Sequence, residues 1–183
     1  MVSCWNTWWC SISQVQPCLC CCGHEYVCRR LTTNTHDWII TLSYRYLFGG
    51  NNTSAEGRYR VLDDFFCFDT TTLTWKCLTN NKSDDFPSSR SGHALIPFGN
   101  KLLLFGGGVW DDNSAQWVHK YNHVYLYDTV RGDWHQAAAH GDISVCTFPS
   151  TARLGHYHLL VFGGQSTKNN WTTNELFVLD TGT

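Results

Sequence analysis

The feature that most narrows what this chain can fold into is a short word of apolar residues and glycines that returns at a fixed interval. Tyr46-Leu47-Phe48-Gly49-Gly50 recurs as Leu103-Leu104-Phe105-Gly106-Gly107 and again as Leu160-Val161-Phe162-Gly163-Gly164, with the phenylalanines 57 residues apart both times. A fixed period of this length marks a structural unit that cannot bury its own faces and must stack on copies of itself.

Other landmarks keep step with the word. His36 and His93 each stand twelve residues before the phenylalanine of their repeat. After each glycine pair come a polar loop and then an apolar run closed by aspartate: Phe65 to Asp69, Val124 to Asp128 and Leu176 to Asp180. Trp75 and Trp134 follow six residues beyond the first two aspartates. The physical reading is a four-stranded antiparallel sheet per repeat. Strand one runs from Ser91 to Ile96, a Gly99-Asn100 hairpin turn follows, and strand two runs from Lys101 to Phe105. Strand two is almost wholly apolar, as expected of a strand covered on both faces, and the glycine pair should end it. Strand three is Val124 to Asp128, and strand four starts near Trp134. Sheets of this kind bury both faces by packing radially as the blades of a propeller.

The Phe-Gly-Gly word, the aromatic residues Phe68 and Tyr127 seven positions before Trp75 and Trp134, and Arg90-Ser91-Gly92-His93 together resemble the kelch repeat. The wider spacing is similar to that of the F-box-only kelch subgroup. The resemblance implies an all-β fold: a partial kelch β-propeller of antiparallel four-stranded blades in an incomplete ring. The expected organisation is a cysteine-rich leader over residues 1–30 and three repeats over residues 31–183. The repeats fall at about 31–80, 88–138 and 150–183, the last one truncated. Propellers close with about 4–8 blades, so a fragment of a longer ring is expected. The repeats also depart from the pattern. Thr33 and Thr35 replace Arg90 and Gly92 in repeat one, and Arg153-Leu154-Gly155-His156 stands only six residues before Phe162, so the first hairpin of repeat three should be short.

Seven of the ten cysteines lie between Cys4 and Cys28. Cys18, Cys21, His24 and Cys28 could supply four zinc ligands, though not at a known module's spacing; clustered cysteines also invite S-acylation. The expectation is a leader without structure, from splicing or an erroneous gene model, that holds no cofactor. The even spread of a secreted disulfide scaffold is missing, and no Lys or Arg precedes Arg29 as a signal peptide would require, so the expected location is cytoplasmic or nuclear.

A formal charge of −2 with no basic stripe argues against a nucleic-acid partner, and no run approaches the roughly 18 apolar residues of a membrane helix. Motifs for metalloprotease, hydrolase, phosphate-loop or dinucleotide chemistry are missing. Asp69, Asp128 and Asp180 read as turn residues. Trp75 and Trp134 read as blade-packing residues, and His36 and His93 as structural ones. The resemblance therefore implies a non-enzymatic protein-interaction scaffold, the substrate-recognition propeller of a ubiquitin-ligase adaptor. The alternatives are an actin or cytoskeletal kelch scaffold and, from another class, a copper-radical oxidase related to galactose oxidase.

Recognition should lie where the repeats differ, in the loops after the glycine pairs. By resemblance to kelch domains that capture peptides, the candidate binding residues are Asn51, Asn52, Val109, Trp110, Gln165 and Ser166, with Arg90 and Arg153. Exposed tryptophan beside charge suits a binding hot spot. Arginine offers a fork for an acidic peptide, or equally a contact with a neighbouring blade. The expected partner is a protein, an acidic peptide degron in the ligase reading, with ligase subunits reached through a further domain.

Overall fold

A computed structural model describes residues 17–19, 25–27, 39–40, 43–53, 58–79, 82–114, 116–141, 145–166 and 171–181. The landmarks Thr33, Thr35 and His36 and the candidate zinc ligands Cys21, His24 and Cys28 lie outside these residues. The described residues form strands, turns and connections, with no helix among them.

Among the described residues there are three blades. The first pairs Ile39–Ile40, Tyr44–Phe48, Phe65–Asp69 and Thr74–Cys77 in that order. The second pairs Ser91–Phe98, Lys101–Asp111, Val124–Asp128 and Asp133–Ala137. The third pairs Ser150–Leu154, His158–Phe162 and Leu176–Asp180. All pairings are antiparallel. Between blades, strand one approaches strand one, which places these strands along the inside of the arc.

Side-chain alternation then divides each strand between two interfaces. Between blades one and two, Tyr46, Phe48, Phe65 and Cys67 pack on Leu95, Leu102, Leu104, Tyr125, Tyr127 and Trp134. The Trp134 ring lies 5.6 Å from Phe48 and 5.1 Å from Phe65. Between blades two and three the chemistry is mostly aliphatic: Ala94, Ile96, Leu103, Phe105 and Val124 meet Leu159 and Val161, with Phe177 and Leu179 at the margin. A cleft of about 560 Å³ opens here, lined by Leu103, Val124, Leu126, Ala137, Phe177 and Leu179 among others. Between blades one and two, the Trp134 indole stands at the corresponding place.

The turn aspartates behave as their chemistry dictates. Asp69 Oδ1 accepts hydrogen bonds from the Thr71 and Thr72 amides, and Asp128 Oδ1 accepts them from Val130 and Arg131. These backbone donors hold both carboxyls below the usual carboxylate range.

The structure corrects or refines the expectations for three landmarks. The glycine pair does not end strand two in the second blade. That strand runs on to Asp111, leaving its partner Val124–Asp128 and pairing instead with Gln116–Lys120. Glycine is needed because neighbouring backbone passes very close: a Cβ on Gly107 would stand 3.0 Å from the Ser91 carbonyl oxygen of its own blade, and one on Gly49 2.6 Å from that of Arg90 at the entry to the next blade. Secondly, the first hairpin of blade three is shorter than that of blade two, as expected, but it pairs regularly, with Ser150 opposite Phe162 and Leu154 opposite His158. Thirdly, Trp75 is not buried between blades. It is 47% exposed against 5% for Trp134, because it packs on Phe66 and Phe68 on the side of blade one that faces away from blade two.

Candidate functional site

Beyond each glycine pair the chain makes a small hairpin or strand pair. Asn51–Thr53 pairs with Tyr59–Val61, Gly108 to Asp111 pairs with Gln116–Lys120, and Gln165–Ser166 pairs with Val145–Thr147. The three stand side by side and are tied together. The Tyr59 amide donates to Asp112 Oδ2 at 2.6 Å, and Lys120 Nζ donates to the Ser166 carbonyl at 2.8 Å. The result is one continuous wall at the end of the blades where the glycine pairs lie.

Aromatic rings run across its middle. Trp110 meets Trp117 edge-on at 5.5 Å, and Trp117 meets Phe148 at 5.6 Å. Trp110 is half-buried, and its Nε1 donates to Asp112 Oδ1, while Phe148 is 46% exposed. Phe148 holds a left-handed φ of 54°, a conformation uncommon outside glycine, and Gly92 packs directly against its ring. A second row, His119, Tyr121, His123 and Tyr125, follows on alternate residues, with successive rings 6.1–6.4 Å apart.

Six of the eight sequence candidates lie on this wall: Asn51, Asn52, Val109, Trp110, Gln165 and Ser166. The first five are partly accessible, and Ser166 is buried. The two arginines are placed otherwise. Arg90 is fully buried: its Nε donates to the Ser88 carbonyl and its Nη1 to the Gly106 carbonyl, each at 3.0 Å, and its Nη2 to Ser88 Oγ at 3.2 Å. The guanidinium lies over the rings of Tyr121 at 4.4 Å and Tyr125 at 5.0 Å. Burial lowers its pKa, and the arginine is spent on holding the blade together, out of a partner's reach. Arg153 is exposed but sits in the strand that leads to the Gly155 turn, at the opposite end of the blade from the wall. There its Nε donates to the Gly155 carbonyl, and its guanidinium lies 5.0 Å from the Phe98 ring centre. The pairing register explains the misplacement: Ser150 opposite Phe162 corresponds to Ala94 opposite Phe105, so the Arg-Leu-Gly-His match falls on a turn rather than a strand start.

His93 lies beneath the wall, edge-on to Phe48 at 5.7 Å. Burial, with the Arg90 charge beside it, pushes its pKa from 6.5 down to about 3, so the imidazole is neutral in the fold. The unfolded chain takes up a proton that the folded chain refuses. Stability from this residue is therefore complete above about pH 6.5 and declines as pH falls from there towards 3. The slope reaches about 1.4 kcal/mol per pH unit. Unfolding free energies at about pH 7 and pH 5 should differ by about 2 kcal/mol from this group, and the His93 ring resonances should not titrate between them. Equal stability at both values would mean that His93 is protonated in the fold.

Among the described residues, no group of three or more His, Cys, Asp or Glu side chains gathers in a way that could hold a metal ion.

Comparisons with known proteins agree with this architecture. The model of the KLHDC2/KLHL20/DRC7 Kelch-repeats domain matches residues 35–183. The chain is 29% identical to the Rho GTPase-activating protein gacHH of Dictyostelium discoideum over 70% of its own length and 8% of that protein's. It is 29% identical to the Acyl-CoA-binding domain-containing protein 5 of Arabidopsis thaliana, over 81% of this chain and 22% of that one. Tip elongation aberrant protein 1 of Schizosaccharomyces pombe is 27% identical over 71% of the chain and 11% of its own length. The chain thus spans less than a quarter of these relatives. Among solved structures, that of YjhT superposes with a TM-score of 0.62 at 16% identity, covering 80% of this chain and 48% of that one, a likeness of fold.

Proposed function

Because the chain belongs to the kelch-repeat family, we propose that it is a protein-recognition module whose partner docks on the wall of hairpins beyond the glycine pairs. The observation that carries this is the lateral joining of the three hairpins, with Trp110, Trp117 and Phe148 running across them. The blades fix the backbone, and the wall is where the repeats cease to resemble one another. The relatives support a modular reading: the matched segment is a minor part of proteins named for quite different activities.

The anchor is aromatic. Indole and phenyl rings held by edge contacts give a partner large apolar area at little conformational cost. An acidic peptide would find its cations not in Arg90 or Arg153 but in Arg58 and Arg60, which are exposed on the first hairpin. The finer reading is substrate recognition for a ubiquitin ligase of the F-box-only kelch type, in the cytoplasm or nucleus, without catalysis of its own. Its support is the repeat spacing and the accessible wall.

Affinity capture with the chain tests this. The double variant Trp110→Ala/Trp117→Ala should lose partner binding by about tenfold or more, the scale of a hot-spot residue. Arg153→Ala, at the other end of the blade, should bind as wild type does. Folded double variant that retains its partners would move the interface off the wall.

A further inference from the structure

Trp110, Trp117 and Phe148 stand as the sides of a box. Trp110 and Trp117 are cross-strand partners beside a bulge in the register, so both side chains lie on one face of the second hairpin. Trp117 lies against Gly108, where a Cβ would stand 3.0 Å from its Cε3, so the missing side chain is what admits the indole. The planes of Trp110 and Phe148 are turned 75° and 73° from it. Phe148 follows Val145–Thr147 in a left-handed conformation, an outlier for a bulky residue, and its ring is left 46% exposed. Strained backbone kept beneath an accessible ring is a mark of functional sites. Two carboxylates stand beside the box with each oxygen already engaged. Asp112 Oδ1 accepts from Trp110 Nε1, and its Oδ2 from the Tyr59 amide. Asp111 Oδ1 accepts from the Asn113 amide and Nδ2, and its Oδ2 from the Ser114 amide and hydroxyl. They bring negative charge to the rings, and the bond to Asp112 makes the Trp110 indole face more electron-rich.

We propose that this box binds a quaternary ammonium group, the trimethylated lysine of a protein partner, a proposal that rests on the wall being the docking face. Aromatic faces attract a cation that lies within about 6 Å of the ring centre. Neighbouring rings here are 5.5 and 5.6 Å apart, so one cationic group can touch more than one of them. Methylation is what the box selects. An unmodified ammonium carries N–H donors that would lose their water and find the oxygens of Asp111 and Asp112 occupied. The trimethylated group has the same charge, no donor to satisfy, and methyl groups that pack on the rings. Lys120, the nearest lysine in the sequence, donates to the Ser166 carbonyl, and Arg58 and Arg60 belong to the first hairpin, whereas the second and third supply the box.

Titration of the purified chain, followed through its indole N–H resonances, tests the proposal. The ligands are capped trimethyllysine, capped lysine and a neutral isostere with carbon in place of the quaternary nitrogen. Capped trimethyllysine should shift the Trp110 and Trp117 signals and bind at least about tenfold more tightly than either control. Phe148→Gly should weaken it by about fivefold or more yet melt no lower than wild type, because glycine holds that backbone conformation without strain. Asp112→Asn keeps an acceptor for Trp110 and removes the charge, and should weaken binding as well. Equal binding of the isostere would reduce the box to an apolar patch and overturn the proposal. So would equal binding of unmodified lysine, or unchanged affinity in both variants. Binding to phosphatidylcholine vesicles but not to the capped residue would overturn it in favour of a lipid headgroup. If trimethyllysine fails to bind while Trp110→Ala/Trp117→Ala still abolishes partner capture, this proposal falls and the wall remains the docking face.

Discussion

Replacing Trp134 by alanine is expected to lower the unfolding free energy by about 3–5 kcal/mol, enough to unfold much of a small domain. The indole is 5% exposed and touches four rings: Phe48, Phe65, Phe86 and Tyr127. Three belong to blade one or the segment after it, so the cavity would open at the junction rather than inside one sheet. Its Nε1 has no acceptor among the described residues, so Trp134→Phe forfeits no hydrogen bond and should cost less than half as much. Trp75→Ala, at the equivalent position of blade one, should cost the isolated chain about 1 kcal/mol, in line with its 47% exposure. Urea denaturation of the three variants checks the ranking. Equal losses for Trp75 and Trp134 would contradict the packing of the first junction.

Arg90→Ala should be comparably damaging, by about 3–5 kcal/mol, and for a different reason. The guanidinium satisfies the Ser88 and Gly106 carbonyls and fills the space against Tyr121 and Tyr125. Its removal strands two carbonyl oxygens and leaves a void. Arg90→Lys keeps the charge but not the planar fork, and should recover less than half of the loss. Arg153→Ala should change stability by no more than about 0.5 kcal/mol, as for an exposed side chain. A stable Arg90→Ala chain that fails only in partner binding would return Arg90 to the recognition surface.

What was legible in the sequence is what local chemistry decides. The glycine pairs, the turn aspartates and the Gly99-Asn100 hairpin declare themselves because each requires a particular backbone or side-chain hydrogen bond. Burial is not local. Trp75 and Trp134 have nearly the same sequence neighbourhood and opposite exposure, because among the described residues only Trp134 has a neighbouring blade packed over its ring. Register is not local either. Arg153-Leu154-Gly155-His156 looks like a strand start, yet pairing with His158–Phe162 sets it at a turn, and Phe148 takes the left-handed backbone position that Gly92 holds in blade two. For Arg90 the sequence left recognition and packing equally open, and the closeness of the Gly106 carbonyl decides for packing. Phe148 gave no signal as a site residue, since a single phenylalanine after a loop looks like any other.

The two junctions differ in kind, ring against ring at the first and branched aliphatic chains at the second. Tandem units of similar sequence run a standing risk of docking on the wrong neighbour as they emerge and collapse. Here a mistaken pairing would set the broad Trp134 indole against a surface shaped for Leu159 and Val161, or leave the socket of Phe48 and Phe65 unfilled. Each blade thus carries an address for its successor, written in the shape of its side chains, and the order of assembly is inscribed in the same residues that give the finished arc its strength.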